Sequence, residues 1–418
     1  MNGTPTLPPV AAPEGAHAAD WQSQLRAWPL GGPAACRRLA PLCLESAVLD
    51  RLLSHDRPRS RVLAVLLVLV VAGLLVAPFA FPGAKALGVA AKMCVFVVLV
   101  ASYDLLLGYA GIVSFAHTMF FGIGAYGVAI ASTRLGEGFG AVAAGTVGAL
   151  ALSVVLALLI GAFSLRVKAI FFAMITLAVA AAFQTLASQL SDLTGGEDGL
   201  TFHAPAVLSP SFEPFDHPVL GITVDGRLLA YYVLFVAAVV LFLALLRIVN
   251  SPFGRVLQAI RENDFRAEAI GFRTVAYRTL CNVLSAAFAT LAGVLLALWL
   301  RYTGPQTTLG FEVMLDILLV VVIGGMGTLY GAVVGSVLFL LAQNYLQDLL
   351  ALGHDALAPH LPAVAAVLSP DRWLLWLGVL FVLSVYHFPT GVVGRLRARR
   401  AGAAAVPAPA VANRGDDR

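Results

Sequence analysis

Residues 62–81 read VLAVLLVLVVAGLLVAPFAF, a run without a charged, amide or hydroxyl side chain. A helix rises about 1.5 Å per residue and the hydrocarbon layer of a bilayer is about 30 Å thick, so a run of this length is enough for one crossing. Of the 418 residues, 60% are hydrophobic and 12% are charged, whereas soluble domains carry about 25% charged residues. The sequence therefore predicts an all-α polytopic membrane protein.

Apolar segments of similar length recur along the chain and predict about ten transmembrane helices. The ten predicted spans are 62–81, 87–107, 113–133, 141–165, 169–187, 228–249, 277–300, 311–323, 329–349 and 373–388. The eighth and ninth are short and are separated by the glycines of 324–331. A re-entrant or broken helix therefore stays open for 311–349.

Basic residues cluster beside four of these spans. They are Arg51, Arg57, Arg59 and Arg61; Arg166 and Lys168; Arg255, Arg261, Arg266 and Arg273; and Arg395, Arg397, Arg399 and Arg400. With ten spans all four clusters fall on one side, which the positive-inside rule makes cytoplasmic, together with both termini. The loop at 191–227 lies opposite and is mostly acidic. The net charge of +4 thus reflects topology, and nucleic acid is not an expected partner.

Composition divides the chain into three parts. Residues 1–60 are rich in Pro, Ala and Gly and predict a flexible cytoplasmic tail. Residues 61–390 form the transmembrane domain, with an external loop at 191–227 and a cytoplasmic loop at 249–274. Residues 391–418 predict a basic, then Ala- and Pro-rich, cytoplasmic tail.

The cytoplasmic loop contains the most informative soluble segment, SPFGRVLQAIRENDFRAEAIG at 251–271. Ser251 is expected to supply an N-cap oxygen, Pro252 suits the first helical position, and Gly271 can end the helix. Small and apolar residues alternate with charged ones between these limits. Periodicity alone leaves two interpretations open: a helix that docks into a groove on a partner, or a solvated connecting helix.

The same segment closely resembles the cytoplasmic coupling segment of branched-chain amino acid ABC transporter permeases of the LivM type. Two further stretches resemble that family in the same order: SFAHTMFFGIGAY at 114–126 and GGMGTLYG at 324–331. The resemblance covers residues 62–397. It implies a transmembrane permease domain at 61–390 that moves branched-chain amino acids or related small solutes across the bacterial inner membrane.

The resemblance also implies partners. These are a homologous second permease subunit, two cytoplasmic ATPase subunits and a periplasmic solute-binding protein, with homodimeric and heterodimeric pairing both open. The chain itself has no Gly-Lys-Ser or Gly-Lys-Thr ending of a phosphate loop. ATP and Mg are therefore expected on the ATPase subunits, and no cofactor is expected in this chain.

Three sets of residues carry candidate roles beside the membrane spans. The residues expected to couple to the ATPase are Ser251, Pro252, Gly254, Arg255, Arg261, Glu262, Asn263, Glu268 and Gly271. Gly324, Gly325, Gly327 and Gly331 are expected to serve helix packing or a hinge. Gly195, Gly196 and Gly199 resemble the family's Gly-Gly-x-x-Gly motif and are candidates for contact with the binding protein, although a plain turn explains them equally.

The span at 113–133 offers candidate substrate contacts. Its glycines predict close helix packing, or else an interrupted helix whose free N–H groups meet a carboxylate. In the second case the substrate pathway includes Ser114, His117, Gly122, Gly124 and Tyr126.

Covalent chemistry is not expected. The sequence shows no metal-ligand spacing and no nucleophile elbow, so we do not predict an enzyme. The alternatives are an importer permease for urea or short amides, and an ion-coupled secondary transporter. The latter is expected to rely on buried acids, for which Asp104 and Asp316 are the near candidates.

Overall fold

The computed structural model describes residues 61–80, 83–164, 169–209, 212, 225–357, 367–388 and 390–395. Helices α1 to α12 span Arg61–Ala80, Ala84–Asp104, His117–Leu135, Phe139–Ser164, Ala169–Gln189, Gly226–Val249, Pro252–Glu262, Asp264–Ala269, Thr274–Leu300, Phe311–Gly324, Leu329–Leu357 and Trp373–His387. Short helical turns lie at Leu105–Tyr109, Ser191–Thr194, Gly196–Asp198, Ala206–Leu208, Pro305–Thr308 and Pro370–Arg372. The predicted tails at 1–60 and beyond 395, with Arg166 and Lys168, lie outside the described residues.

All ten predicted spans are helical, which confirms the all-α polytopic class. Within the described ranges, nine helices are long and apolar enough to cross a membrane. Helix α3 is not one of the nine, although it has 19 residues. It carries His117, Arg134 and several glycines, and most of its side chains are buried. Because the even number of predicted spans includes α3, the cytoplasmic position of both termini stays a prediction.

The centre of the bundle is built on close contact between α3 and α9. A Cβ atom on Gly124 would overlap the carbonyl oxygen of Thr290, and one on Gly293 would overlap that of Phe121. Only glycine at both positions lets the two backbones touch. Small residues have this role at membrane helix crossings, where dispersion contacts replace the hydrophobic effect.

Side-chain hydrogen bonds join α9 to its other neighbours. The Ser285 hydroxyl donates to the carbonyl of Ser102 in α2 at 2.6 Å. The Asn282 amide donates to the carbonyl of Ala157 in α4 at 2.9 Å. Ser285 and Asn282 are buried, so each bond pairs a polar group that could not form a hydrogen bond with lipid.

The region from 305 to 357 resolves the open question about a broken helix. Helix α10 has 14 residues and is therefore about 21 Å long, shorter than the hydrocarbon layer. The turn Pro305–Thr308 precedes it, and together they make a 20-residue span interrupted at Leu309 and Gly310. The glycines at 324–331 instead lie around the turn between α10 and α11, where Gly325 and Gly327 have φ of 111° and 78°.

At the other end of the bundle a short ladder joins two loops. Strands β1 (Leu200–Thr201) and β2 (Tyr302–Thr303) pair antiparallel, with Leu200 opposite Thr303. This pairing holds the loop after α5 against the loop after α9.

Candidate functional site

The segment between α6 and α9 begins as the sequence predicts, but its first residue has another role. Pro252 occupies the first position of α7, and Ser251 has the extended backbone of an N-cap. Its hydroxyl, however, donates to the carbonyl of Ile248 at 2.6 Å. The prediction that Ser251 supplies a capping oxygen is therefore wrong, because the carbonyl at the end of α6 lies within reach of the hydroxyl.

Helix α7 buries one face on the bundle and exposes the other. Gly254, Leu257 and Ile260 are buried, whereas Arg255 and Glu262 are exposed. A Cβ atom on Gly254 would overlap the carbonyl oxygen of Val249, so glycine is required for the sharp entry from α6. The buried face fixes the orientation of α7 against the membrane helices.

The predicted single helix to Gly271 is broken at Asn263. Asn263 has φ −159° and ψ 103°, and its side-chain oxygen accepts from the Arg266 N–H at 2.9 Å. Asparagine competes with the helix for backbone groups and here caps a second helix, α8. Gly271 has φ 98°, which confirms that the helical segment ends there.

Two side-chain contacts hold α8 to the start of α9. The Arg278 guanidinium pairs with Asp264 at 2.7 Å, and the Thr274 hydroxyl donates to Glu268 at 2.7 Å. Glu268, predicted to couple to the ATPase, therefore has an internal partner. These contacts order α8 on the surface of the bundle.

Two apolar side chains of this segment are exposed, and sequence reasoning did not single out Phe265. Phe265 is 87% exposed and Ile270 is 71% exposed. Phe265 lies two positions before buried Ala267 and therefore on another face of α8, whereas Ile270 follows the last residue of that helix. The signal available in the sequence was an aromatic side chain between Asp264 and Arg266. Exposed aromatic and aliphatic groups within a charged surface are typical of a protein docking site.

The Arg261 side chain is exposed to solvent but also contacts the helix bundle. Its guanidinium donates to the carbonyl of Gly108 and interacts electrostatically with the carboxylate of Asp104. Asp104 in turn accepts from the Gly327 N–H at 2.8 Å. The side chain of a predicted coupling residue thus reaches the glycine turn between α10 and α11.

Of the predicted packing glycines, Gly324 and Gly331 contact each other, and Gly325 contacts the segment at 390–394. A Cβ atom on Gly324 would overlap the carbonyl oxygen of Gly331, and one on Gly325 would lie 2.8 Å from the carbonyl oxygen of Thr390. This part of the chain therefore packs backbone against backbone.

The predicted substrate-pathway residues do not converge on one polar site. His117 is buried beside α2, with its Nε2 atom 2.9 Å from the Ser102 hydroxyl oxygen. Gly122 packs against Leu309 and Gly124 against α9. Buried Ser114 accepts from the Ala116 N–H at 3.4 Å. Buried Tyr126 lines an apolar cavity of about 510 Å³ between α3, α4 and α5.

The three glycines of the outer loop have a local structural explanation. Gly195, Gly196 and Gly199 have φ of 76°, 67° and 73°, positive values that glycine adopts without the steric cost met by other residues. A Cβ atom on Gly199 would also overlap the carbonyl oxygen of Thr303 in β2. Contact with a binding protein stays a prediction.

Comparison with protein families matches residues 85–385 to the branched-chain amino acid transport system / permease component family. The chain belongs to this family. The match includes α2 from its second residue, α3 to α11 and most of α12, and therefore the whole α7–α8 segment, the outer-loop glycines at 195–199 and the glycine turn between α10 and α11.

Three curated relatives carry the LivM name. The high-affinity branched-chain amino acid transport system permease proteins LivM of Salmonella typhimurium and Escherichia coli are 26% and 25% identical over 275 residues. Each match covers 62% of this chain and 63% of the relative. The probable LivM protein of Methanocaldococcus jannaschii is 28% identical over 170 residues, 40% of this chain and 47% of its own. No solved structure matches the chain.

Proposed function

We propose that this chain is the membrane-spanning permease subunit of an ATP-binding-cassette importer in the bacterial inner membrane. Its cargo is a branched-chain amino acid or a related small solute, and separate ATPase subunits supply the energy. Family membership supports the transport role. The observation that carries the ATPase-driven part is the α7–α8 segment, which buries one face on the bundle and exposes Phe265 and Ile270.

In this proposal the exposed side chains of α7 and α8 dock into a groove on a cytoplasmic ATPase subunit. ATP and Mg bind to the two ATPase subunits, a second permease completes the pathway, and a solute-binding protein delivers cargo from the opposite side. Nucleotide binding changes the permease only if α7 and α8 contact the two ATPase states differently.

The docking proposal is tested on the purified transporter, reconstituted with its binding protein. Phe265→Ala and Ile270→Ala each remove an exposed apolar side chain, and a central anchor of this type contributes about 2 kcal/mol or more. We expect each variant to lower ATPase co-purification and ATP-driven leucine uptake by about thirtyfold. Leu375→Ala, which removes an exposed side chain from α12, is the matched control and should keep both. Failure of any ATPase to associate with the unchanged chain would reject the proposal.

One observation favours the ion-coupled alternative. A cavity of about 1030 Å³ between α10, α11 and α12 is lined by Glu312 and Asp316, and Asp316 accepts from the Gln343 amide at 3.3 Å. A carrier that uses these acids would lose uptake with a protonophore and keep it without ATP. The ATP-driven importer should show the opposite response. Adding unlabelled urea or acetamide as competitors in the same assay distinguishes the urea or amide cargo from leucine.

A further inference from the structure

Four segments that are distant in sequence meet at the end of the bundle that carries α7. They are the end of α2 with its π-helical turn Leu105–Tyr109, the last turn of α7, the glycine turn between α10 and α11, and the segment at 390–394. Arg261 and Gly108 are 153 positions apart, and Asp104 and Gly327 are 223 apart. Nothing in local sequence requires these groups to be neighbours.

Asp104 is a buried acidic residue at the junction where these four segments meet. The residue is 2% exposed, and a buried carboxylate is costly unless hydrogen bonds and an opposite charge compensate it. The Gly327 N–H supplies one hydrogen bond at 2.8 Å, and Arg261 supplies the charge. The carboxylate therefore has a hydrogen-bond partner on the glycine turn, and the cation that acts on it is Arg261 of α7, whose Nη1 atom lies beside Gly327 and donates to the Gly108 carbonyl. No ion pair within 4 Å joins Asp104 and Arg261 among the described contacts.

Arginine suits this position because its guanidinium carries several donors in one plane. One Nη1 donor binds the Gly108 carbonyl while the charge acts on Asp104. Lysine offers a single point charge and cannot present the same planar set of donors.

Three glycines leave the space that the arginine needs. A Cβ atom on Gly108 would overlap the Asp104 carboxylate and the Gly327 nitrogen. A Cβ atom on Gly111 would lie 3.0 Å from the Arg261 Cγ atom, and one on Gly327 would lie 3.1 Å from its Nη1 atom. Gly111 thus admits the aliphatic part of the Arg261 side chain, Gly327 its guanidinium, and Gly108 the Asp104 carboxylate.

We propose that Arg261 and Asp104 are positioning residues that fasten α7 to the turn between α10 and α11. A displacement of α7 is then passed to that helical pair through the Arg261 guanidinium and the Asp104 carboxylate. The linkage is a property of this chain alone. Its role in transport rests on the proposed function.

The first test measures the linkage in the purified full chain, without any partner. Spin labels are placed at Gln258→Cys on α7 and Met326→Cys on the glycine turn, both exposed sites, in a background of Cys36→Ser and Cys43→Ser with Cys94 and Cys281 buried. We expect a narrow distance distribution in the parent. Arg261→Ala should broaden it, Arg261→Lys should restore part of the narrowness, and Arg273→Ala, at an exposed arginine outside the junction, should leave it narrow.

Asp104→Asn keeps an oxygen for the Gly327 N–H and removes the charge. It should broaden the distribution less than Arg261→Ala does, and the double variant should be no broader than Arg261→Ala. A distribution that stays narrow in Arg261→Ala overturns the proposal. Strictly additive broadening in the double variant also overturns it.

The second test uses the reconstituted transporter. Arg261→Ala should lower ATP-driven leucine uptake about tenfold or more, the equivalent of 1.4 kcal/mol, while ATPase co-purification and ATP hydrolysis are retained. Loss of co-purification would show that Arg261 contacts the ATPase instead, and would overturn the positioning role. If the unchanged chain recruits no ATPase, the proposed function fails, whereas the spin-label test still decides the linkage.

Discussion

Helix α1 and helices α2 and α9 show opposite relations between apolarity and burial. α1 is the most apolar of the nine candidate spans in the described residues, yet only 11% of its apolar window is buried, against 61% for α2 and for α9. In water the most apolar helix would lie in the core. In a bilayer, lipid tails are as apolar as leucine, so burying α1 gains no hydrophobic free energy.

Small residues and side-chain hydrogen bonds determine which helices form the core of this protein. Gly293 in α9 meets α3 without a side chain between the backbones. Ser285 and Asn282 bind carbonyl groups of neighbouring helices. Glycine, serine and asparagine thus hold the helices together, although they make α3 and α9 less apolar. The exposed valines of α1 face outward.

The comparison predicts the largest effect at the α3–α9 crossing. Gly124→Leu forces a side chain into the backbone of α9, and we expect a loss of stability of about 3 kcal/mol or more. Gly73→Leu in α1 should cost almost nothing, because a Cβ atom there meets none of the described residues within 4 Å. Thermal unfolding of the detergent-purified chain measures both. Equal losses for the two variants would contradict the comparison.

A matched valine pair gives a smaller effect. Val98 in α2 is fully buried, and Val68 in α1 is 68% exposed. Val98→Ala leaves a cavity and should lower the free energy of unfolding by about 1–2 kcal/mol, whereas Val68→Ala should change it by less than about 0.5 kcal/mol. Unfolding in a bilayer, measured by steric trapping, reports both values. A larger loss for Val68→Ala would mean that α1 packs more tightly than its exposure indicates.

The smallest effect concerns a single hydrogen bond. Ser285→Ala removes the bond from α9 to the Ser102 carbonyl and should cost about 0.6 kcal/mol, the average for such bonds in membrane bundles. Thr185→Val removes a hydroxyl that bonds within its own helix, α5, and should cost less. The same steric-trapping measurement compares them. If Thr185→Val proves the more costly, hydrogen bonds between helices do not distinguish core from periphery here.

Much of the architecture could be predicted because it depends on local properties. Transfer of a side chain into lipid is a property of each segment, so all ten predicted spans coincide with helices. Their bounds agree to within a few residues, except that α11 continues to Leu357, beyond the predicted end at Leu349. Pro252 and Gly271 mark the ends of the α7–α8 segment because their backbone restrictions are intrinsic. The family resemblance was confirmed as well.

The errors fall where two segments compete for the same group. The Ser251 hydroxyl could either cap α7 or bind the carbonyl of Ile248. It binds Ile248, because that carbonyl at the end of α6 lies within its reach. Asn263 could continue the helix or cap the next one, and the contacts of α8 with α9 favour the break. Phe265 became conspicuous only when the neighbouring positions were seen to be buried.

The sequence by itself determined that the chain is a bundle of membrane-spanning helices with an amphipathic segment after the sixth predicted span. Only the tertiary structure decided that moderately polar α3 lies at the centre, while the more apolar α1 lies outside. Tertiary contacts alone also brought Arg261 to the Gly108 carbonyl and to Asp104. The physical reason is the same for both. Partition into lipid adds up segment by segment along the chain. Helix packing instead depends on contacts between small and polar groups, and these groups can be separated by more than a hundred residues in the sequence.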